Sequence, residues 1–88
     1  MKFIKFEKVF WKADTTFEEG EPVIINSSCI KSITKLSKPY KLTPEAEKTY
    51  SEKFDVPACE LCFIDIKLTL GNSYIAVMPK KSFDNFIN

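Results

Sequence analysis

The chain has 88 residues, of which 44% are hydrophobic and eight are Phe, too much core material for a disordered segment. Thirteen basic residues against twelve acidic ones leave a net charge of +1, so no overall field draws the chain toward nucleic acid or an anionic membrane. All thirteen bases are Lys and there is no His, which excludes Ser-His-Asp and Cys-His triads, His zinc ligands and bidentate Arg recognition of phosphate.

The length suits one domain, residues 1–88, with one small core. No apolar run approaches the roughly 18–20 residues of a membrane span. Met1 to Lys12 alternates Lys with apolar residues where a signal peptide would carry an apolar core. The expectation is a soluble, cytoplasmic protein without a membrane partner. Three cysteines, Cys29, Cys59 and Cys62, cannot form a closed disulfide set. Reduced thiols follow.

Taken in order, Lys2 to Lys12 reads as a strand with imperfect alternation. Ile4, Phe6 and Phe10 fall on one side, and Phe3, Val9 and Trp11 on the other. A bulge near Glu7 and Lys8 would explain this, as would a second apolar surface that meets another chain. Asp14 to Gly20 shows no period and predicts a loop. Glu21 to Asn26 is a short strand with Pro22 at its start, where a missing N–H costs least. Cys29 to Leu36 is the next strand, but Ile30, Ile33 and Leu36 recur every third residue, so a single helical turn should lead into it.

Thr43-Pro44 then announces a helix from about Pro44 to Phe54. Thr43 is its cap, Pro44 its first residue, Glu45 and Glu47 lie in its first turns and Lys53 near its end. Ala46, Tyr50 and Phe54 form a narrow apolar stripe that should rest on a sheet. From Cys62 to Leu70 every second residue is apolar, the period of a strand with one buried face. Gly71-Asn72 supplies a two-residue hairpin turn into Ser73 to Val77. That turn pairs Leu70 with Ser73, Leu68 with Ile75 and Ile66 with Val77, placing Ile66, Leu68, Ile75 and Val77 on one side of the sheet. After Pro79, Phe83, Phe86 and Ile87 at helical spacing predict a terminal helix of two turns. The fold class is therefore α+β, mainly β: about five antiparallel strands in a roll or half-barrel, one inserted helix and a short C-terminal one.

Chemistry is sparsely signalled. Cys59-Glu60-Leu61-Cys62 has CxxC spacing, but zinc wants four ligands and only Cys29 could add a third sulfur. A redox pair would sit at a helix start, whereas this one leads into a strand, so these cysteines are expected to pack. With only Gly20 and Gly71 there is no phosphate-binding loop. No cofactor, metal or catalytic residue is expected. The strongest patch for a polymer is Lys31, Lys35, Lys38, Tyr40 and Lys41, joined by Lys80 and Lys81, where lysines could neutralise phosphates and Tyr40 stack on a base.

The run Glu21-Pro22-Val23-Ile24-Ile25-Asn26 with Ile30 and Ile33, followed by Leu68-Thr69-Leu70-Gly71-Asn72-Ser73-Tyr74-Ile75-Ala76-Val77, resembles the small FlbD-type proteins linked to bacterial flagella and swarming. LytTR-type DNA-binding domains share similar spacing. The long first strand and the segment from Lys38 to Pro57 depart from the FlbD-like pattern, and that family supplies no catalytic residues. The expected function is a non-catalytic binding or assembly module acting through protein contacts, self-association included, with Phe3, Val9 and Trp11 as contact residues. The alternative is a small nucleic-acid-binding protein using the lysine patch.

Overall fold

Two long antiparallel hairpins frame the molecule. The structure is a computed structural model that describes residues 2–37 and 39–87, Phe86 and Ile87 by backbone alone. In the first hairpin β1 (Phe3–Ala13) runs back as β2 (Thr16–Asn26), and in the second β5 (Leu61–Leu68) runs back as β6 (Ser73–Pro79). β3 (Ile30–Lys35) flanks β5, while the two-residue β4 (Lys41–Leu42) lies parallel on the start of β2. The sheet order is β3-β5-β6-β1-β2-β4, with α1 (Pro44–Phe54) inserted before β5 and α2 (Lys80–Ile87) following β6. This is the expected α+β, largely antiparallel arrangement. It is an open sheet of six strands, the sixth being β4, which runs parallel to its neighbour.

Local chemistry explains the helices. Thr43 accepts the Ala46 N–H at 3.2 Å and Pro44 opens α1, as its sequence predicts. Asp55 closes it at φ 55°, its N–H directed at the carbonyls of Ser51 and Glu52. α2 begins directly after Pro79 and buries Phe83. The side chains of Phe86 and Ile87, expected on the same stripe, lie outside the described residues.

Three local expectations are corrected. Thr16 to Gly20 is strand, and only Asp14-Thr15 forms the turn. Pairing with Val9 to Ala13 and complete burial of Phe17 outweigh the weak strand preference of Glu and Gly. The irregularity opposite Lys8 does exist, but Glu7 pairs with Pro22 and Val9 with Glu19, so the extra residue belongs to β2, at Gly20-Glu21. The helical turn before the third strand is a short 3-10 turn at Ser27–Cys29. A register shift at Lys31 then resets the alternation, which is why Ile30 and Ile33 pack on the same cluster despite their odd spacing.

The third correction concerns the β5–β6 register. Lys67 pairs with Ser73, Ile66 with Tyr74 and Ile64 with Ala76, three residues away from the predicted offset. Leu68 accepts from Gly71 N–H at 3.0 Å and donates to Asn72 at 2.8 Å. The loop is therefore Thr69-Leu70-Gly71, with Gly71 at φ 98° in the position only glycine occupies cheaply. An odd shift exchanges faces, so Ile75 and Val77 lie opposite Ile64 and Ile66.

Both faces are nevertheless apolar and both are covered, so the single expected core is two. Phe6, Ile25, Cys62, Ile64, Ile66, Ala76 and Met78 pack with Phe83 of α2 on one face. Val9, Phe17, Leu42 and Val77 pack with Ala46 and Tyr50 of α1 on the other. The mixed pattern of β1 is the signature of a strand buried on both sides.

Candidate functional site

β1 and β6 meet at only two residue pairs, Glu7–Val77 and Lys8–Ala76. These two pairs are the seam between the half-sheet β3-β5-β6 and the half-sheet β1-β2-β4. Continued in register, the ladder would join Val9 to Ile75, Phe10 to Tyr74 and Trp11 to Ser73. These six residues, with Lys8, instead line an open notch of about 300 Å3.

Two features mark the first hairpin at the seam. The extra residue at Gly20-Glu21 lies opposite Lys8, itself a seam residue, and bulges of this kind bend a strand and increase its local twist. Tyr50 of α1 then holds that bend: its buried hydroxyl accepts the Gly20 N–H at 3.1 Å and donates to the Lys8 carbonyl at 3.4 Å. Beside it, Lys53 Nζ donates to Glu7 Oε1 at 2.9 Å, tying the end of α1 to β1.

The mouth of the notch is aromatic. Phe10 and Trp11 are about half exposed on one arm, and Tyr74 lines the other. Trp11 is held by Phe17, ring centres 4.2 Å apart, and by the edge of Tyr40 at 5.5 Å. The Lys8 ammonium bridges the arms, 5.1 Å from the Phe10 ring and 5.2 Å from that of Tyr74.

The residues expected at a contact do not form one patch. Val9 is 5% exposed and belongs to the core beneath α1. Phe3 and Trp11 are exposed, but positions 3 and 11 lie roughly 26 Å apart along a strand. Trp11 belongs to the notch, while Phe3 stands near exposed Ile24 at the far end of the hairpin.

The lysine patch is dispersed as well. Lys31 and Lys35 sit on β3 and Lys41 on β4, the opposite edges of the sheet. Tyr40 is half-buried among Trp11, Phe17 and Phe63, and Lys38 lies outside the described residues. Lys80 and Lys81 start α2. Of these, Lys35 and Lys80 converge near Cys62 and favour its thiolate, but burial dominates and pushes the thiol pKa up. Cys59 is exposed, Cys62 is buried and all three cysteines are free. Among the described residues no cluster of metal ligands occurs. No described helix is long and apolar enough to cross a membrane.

Phe10 and Tyr74 were not singled out by sequence reasoning, because each reads as an ordinary strand residue and nothing local marks that their strands face each other. Compared with protein-family models, curated proteins and solved structures, the chain matches none of them.

The Tyr50 and Lys53 anchors carry a pH dependence. Burial holds the Tyr50 phenol above its ordinary 10.0, and the hydrogen bond to Glu7 holds Lys53 above its ordinary 10.5. The folded state therefore keeps these protons longer than the unfolded chain, so stability present at neutral pH is lost as pH rises above about 10. Urea midpoints should fall there, and less steeply in Tyr50→Phe. At neutral pH that variant should lose about 1–3 kcal/mol, because the Gly20 N–H and Lys8 carbonyl lose their partner.

Proposed function

We propose that this protein is a non-catalytic binding module that takes an extended segment of a partner protein, a second copy of the chain included, into the notch between its two hairpins. The supporting observation is the seam: the ladder stops at Lys8–Ala76, and the next three would-be pairs line an open notch. Diverging strand edges carry backbone donors and acceptors suited to an added strand, and alternate side chains of that strand would meet Phe10, Trp11 and Tyr74. Aromatic side chains of this kind supply much of the energy at protein interfaces. Assembly of flagellar or swarming machinery, suggested by the FlbD-like spacing, is one setting for such a module.

Selection from a displayed library of random peptides tests the proposal. Peptides that bind should be extended, rich in β-branched and aromatic residues, and should change Trp11 fluorescence. Trp11→Ala combined with Tyr74→Ala should weaken them by tenfold or more, on the order of a 1.4 kcal/mol loss. Peptides that bind the double variant equally well would overturn the proposal. So would salt-sensitive binding of single-stranded oligonucleotides with the same fluorescence change, which would favour nucleic acid as the ligand.

A further inference from the structure

A cleft of about 320 Å3 opens at the other end of the seam, and both oxygens of Glu7, which lines it, are ion-paired, one with Lys53 and one with Lys5. The notch differs, because its charge has no such partner. Lys8 is the only charged side chain among the residues that line it. It is also the one lysine among the described residues that is not exposed. Lysines ordinarily keep their ammonium in water. Here the Phe10 and Tyr74 rings, 5.1 and 5.2 Å from Nζ, hold it between the two arms.

Two rings satisfy an ammonium only in part, since it has three N–H donors and the rings attract its charge without offering a carboxylate or carbonyl oxygen. Among the described residues both ion pairs belong to Glu7, and no side-chain hydrogen bond involves Lys8 Nζ. No buried side-chain nitrogen lacks a partner among those residues, so Nζ is open to whatever enters the notch. Glu18 pairs with Phe10 from the side of β1 away from β6 and makes no ion pair with Lys8.

Strand parity sets the surroundings. Lys8 and Phe10 alternate to one face of β1, while Trp11 lies on the other, where Ile75 packs. A strand added along β1 would present one residue to the lysine and turn its two neighbours toward Trp11 and Ile75.

We propose that the segment taken by the notch carries a carboxylate, an Asp or Glu whose oxygens accept from Lys8 Nζ, and that the residues on either side of it are apolar. The inference rests on the reading of the notch as a strand-accepting site and adds the chemistry of the partner. One lysine suits one carboxylate. A nucleic-acid backbone needs a row of cations, and the other residues that line the notch are uncharged.

The test selects three displayed libraries of short random peptides, which differ only in a fixed central Glu, Gln or Lys, against the whole chain. The Glu library should give the binders, with apolar residues enriched at both neighbouring positions. Changing the central Glu of a recovered peptide to Gln should weaken it roughly tenfold. Lys8→Met keeps the hydrocarbon between the rings and should bring the Glu peptide down to the level of the Gln peptide. Lys8→Glu should reverse the preference, so that the Lys library gives the binders. The proposal is overturned if Glu, Gln and Lys peptides bind alike, or if Lys8→Met leaves the preference for Glu intact. The notch would then still take a segment, chosen by shape alone. It falls together with the strand-accepting reading if no library yields a binder, or if recovered peptides bind Trp11→Ala combined with Tyr74→Ala as tightly as the parent chain. A single-stranded oligonucleotide that displaces the Glu peptide and loses more affinity than it does in Lys8→Met would assign the ammonium to phosphate, which also overturns the proposal.

Discussion

Gly20→Ala is expected to destabilise the protein by about 2–4 kcal/mol, although the substitution adds one methyl group to a strand. A Cβ there would collide with the Lys8 carbonyl oxygen and stand 2.9 Å from its carbon and 3.1 Å from Val9 Cα. These are backbone atoms, so no side-chain rotation relieves the clash. The strands would have to separate at the point where Tyr50 links them, which threatens both of its hydrogen bonds. For a domain of this size the melting temperature should drop by roughly 10–20 °C. Gly71→Ala is the informative comparison. Its Cβ meets nothing within 4 Å, and only the φ of 98° opposes it, so a loss of about 1–2 kcal/mol is expected. Equal losses in the two variants would refute the close approach at the β1–β2 bulge.

Phe17→Ala should cost more, about 3–5 kcal/mol, the range for removing a fully buried aromatic. Phe17 is 0% exposed and touches Trp11, Tyr40 and Phe63 with ring centres 4.2, 5.3 and 4.9 Å away. Its backbone carbonyl also accepts the Thr43 N–H at 2.9 Å, just where α1 is capped. The cavity would thus undercut the aromatic cluster and the seat of the helix together. Small domains hold about 5–15 kcal/mol in all, so this variant should be largely unfolded at modest urea. Trp11 should become mobile before global unfolding, visible as a loss of its near-ultraviolet dichroism under native conditions. Phe17→Leu keeps most of the volume and should cost about 1–2 kcal/mol. If Trp11 keeps its native signal in Phe17→Ala, the cluster does not hold it in place.

Legibility differed between helices and sheet for a physical reason. α1 was readable to its ends because capping and dipole signals are local: Thr43, Pro44, Glu45, Glu47 and Lys53 act within a turn of their own position. The hairpin at Gly71 was readable as a hairpin but not in register. Gly71-Asn72 suits a two-residue turn, whereas a three-residue loop ending in glycine uses the same glycine with a different offset. Alternation could not arbitrate, because Ile64, Ile66, Ile75 and Val77 are apolar on both faces. The second helix that buries the other face was itself predicted, but its seat was not.

The candidate site was less legible still. Trp11 was identified, yet its companions Phe10 and Tyr74 come from two hairpins far apart in the chain. Val9 alternates with the same parity as Trp11 but lies under α1, and parity cannot tell which part of a strand a helix covers.

By itself the amino-acid order determined both helices, the second hairpin, where α1 is capped and that no His- or Arg-dependent chemistry is available, because these follow from composition and from neighbours within a few residues. Tertiary structure alone decided that the sheet has two covered faces, that β1 and β6 join at two residue pairs and that openings lie on either side of that seam. Those outcomes depend on a bulge in β2 and a tyrosine from α1 meeting at Lys8, and no local pattern records which distant residues will meet.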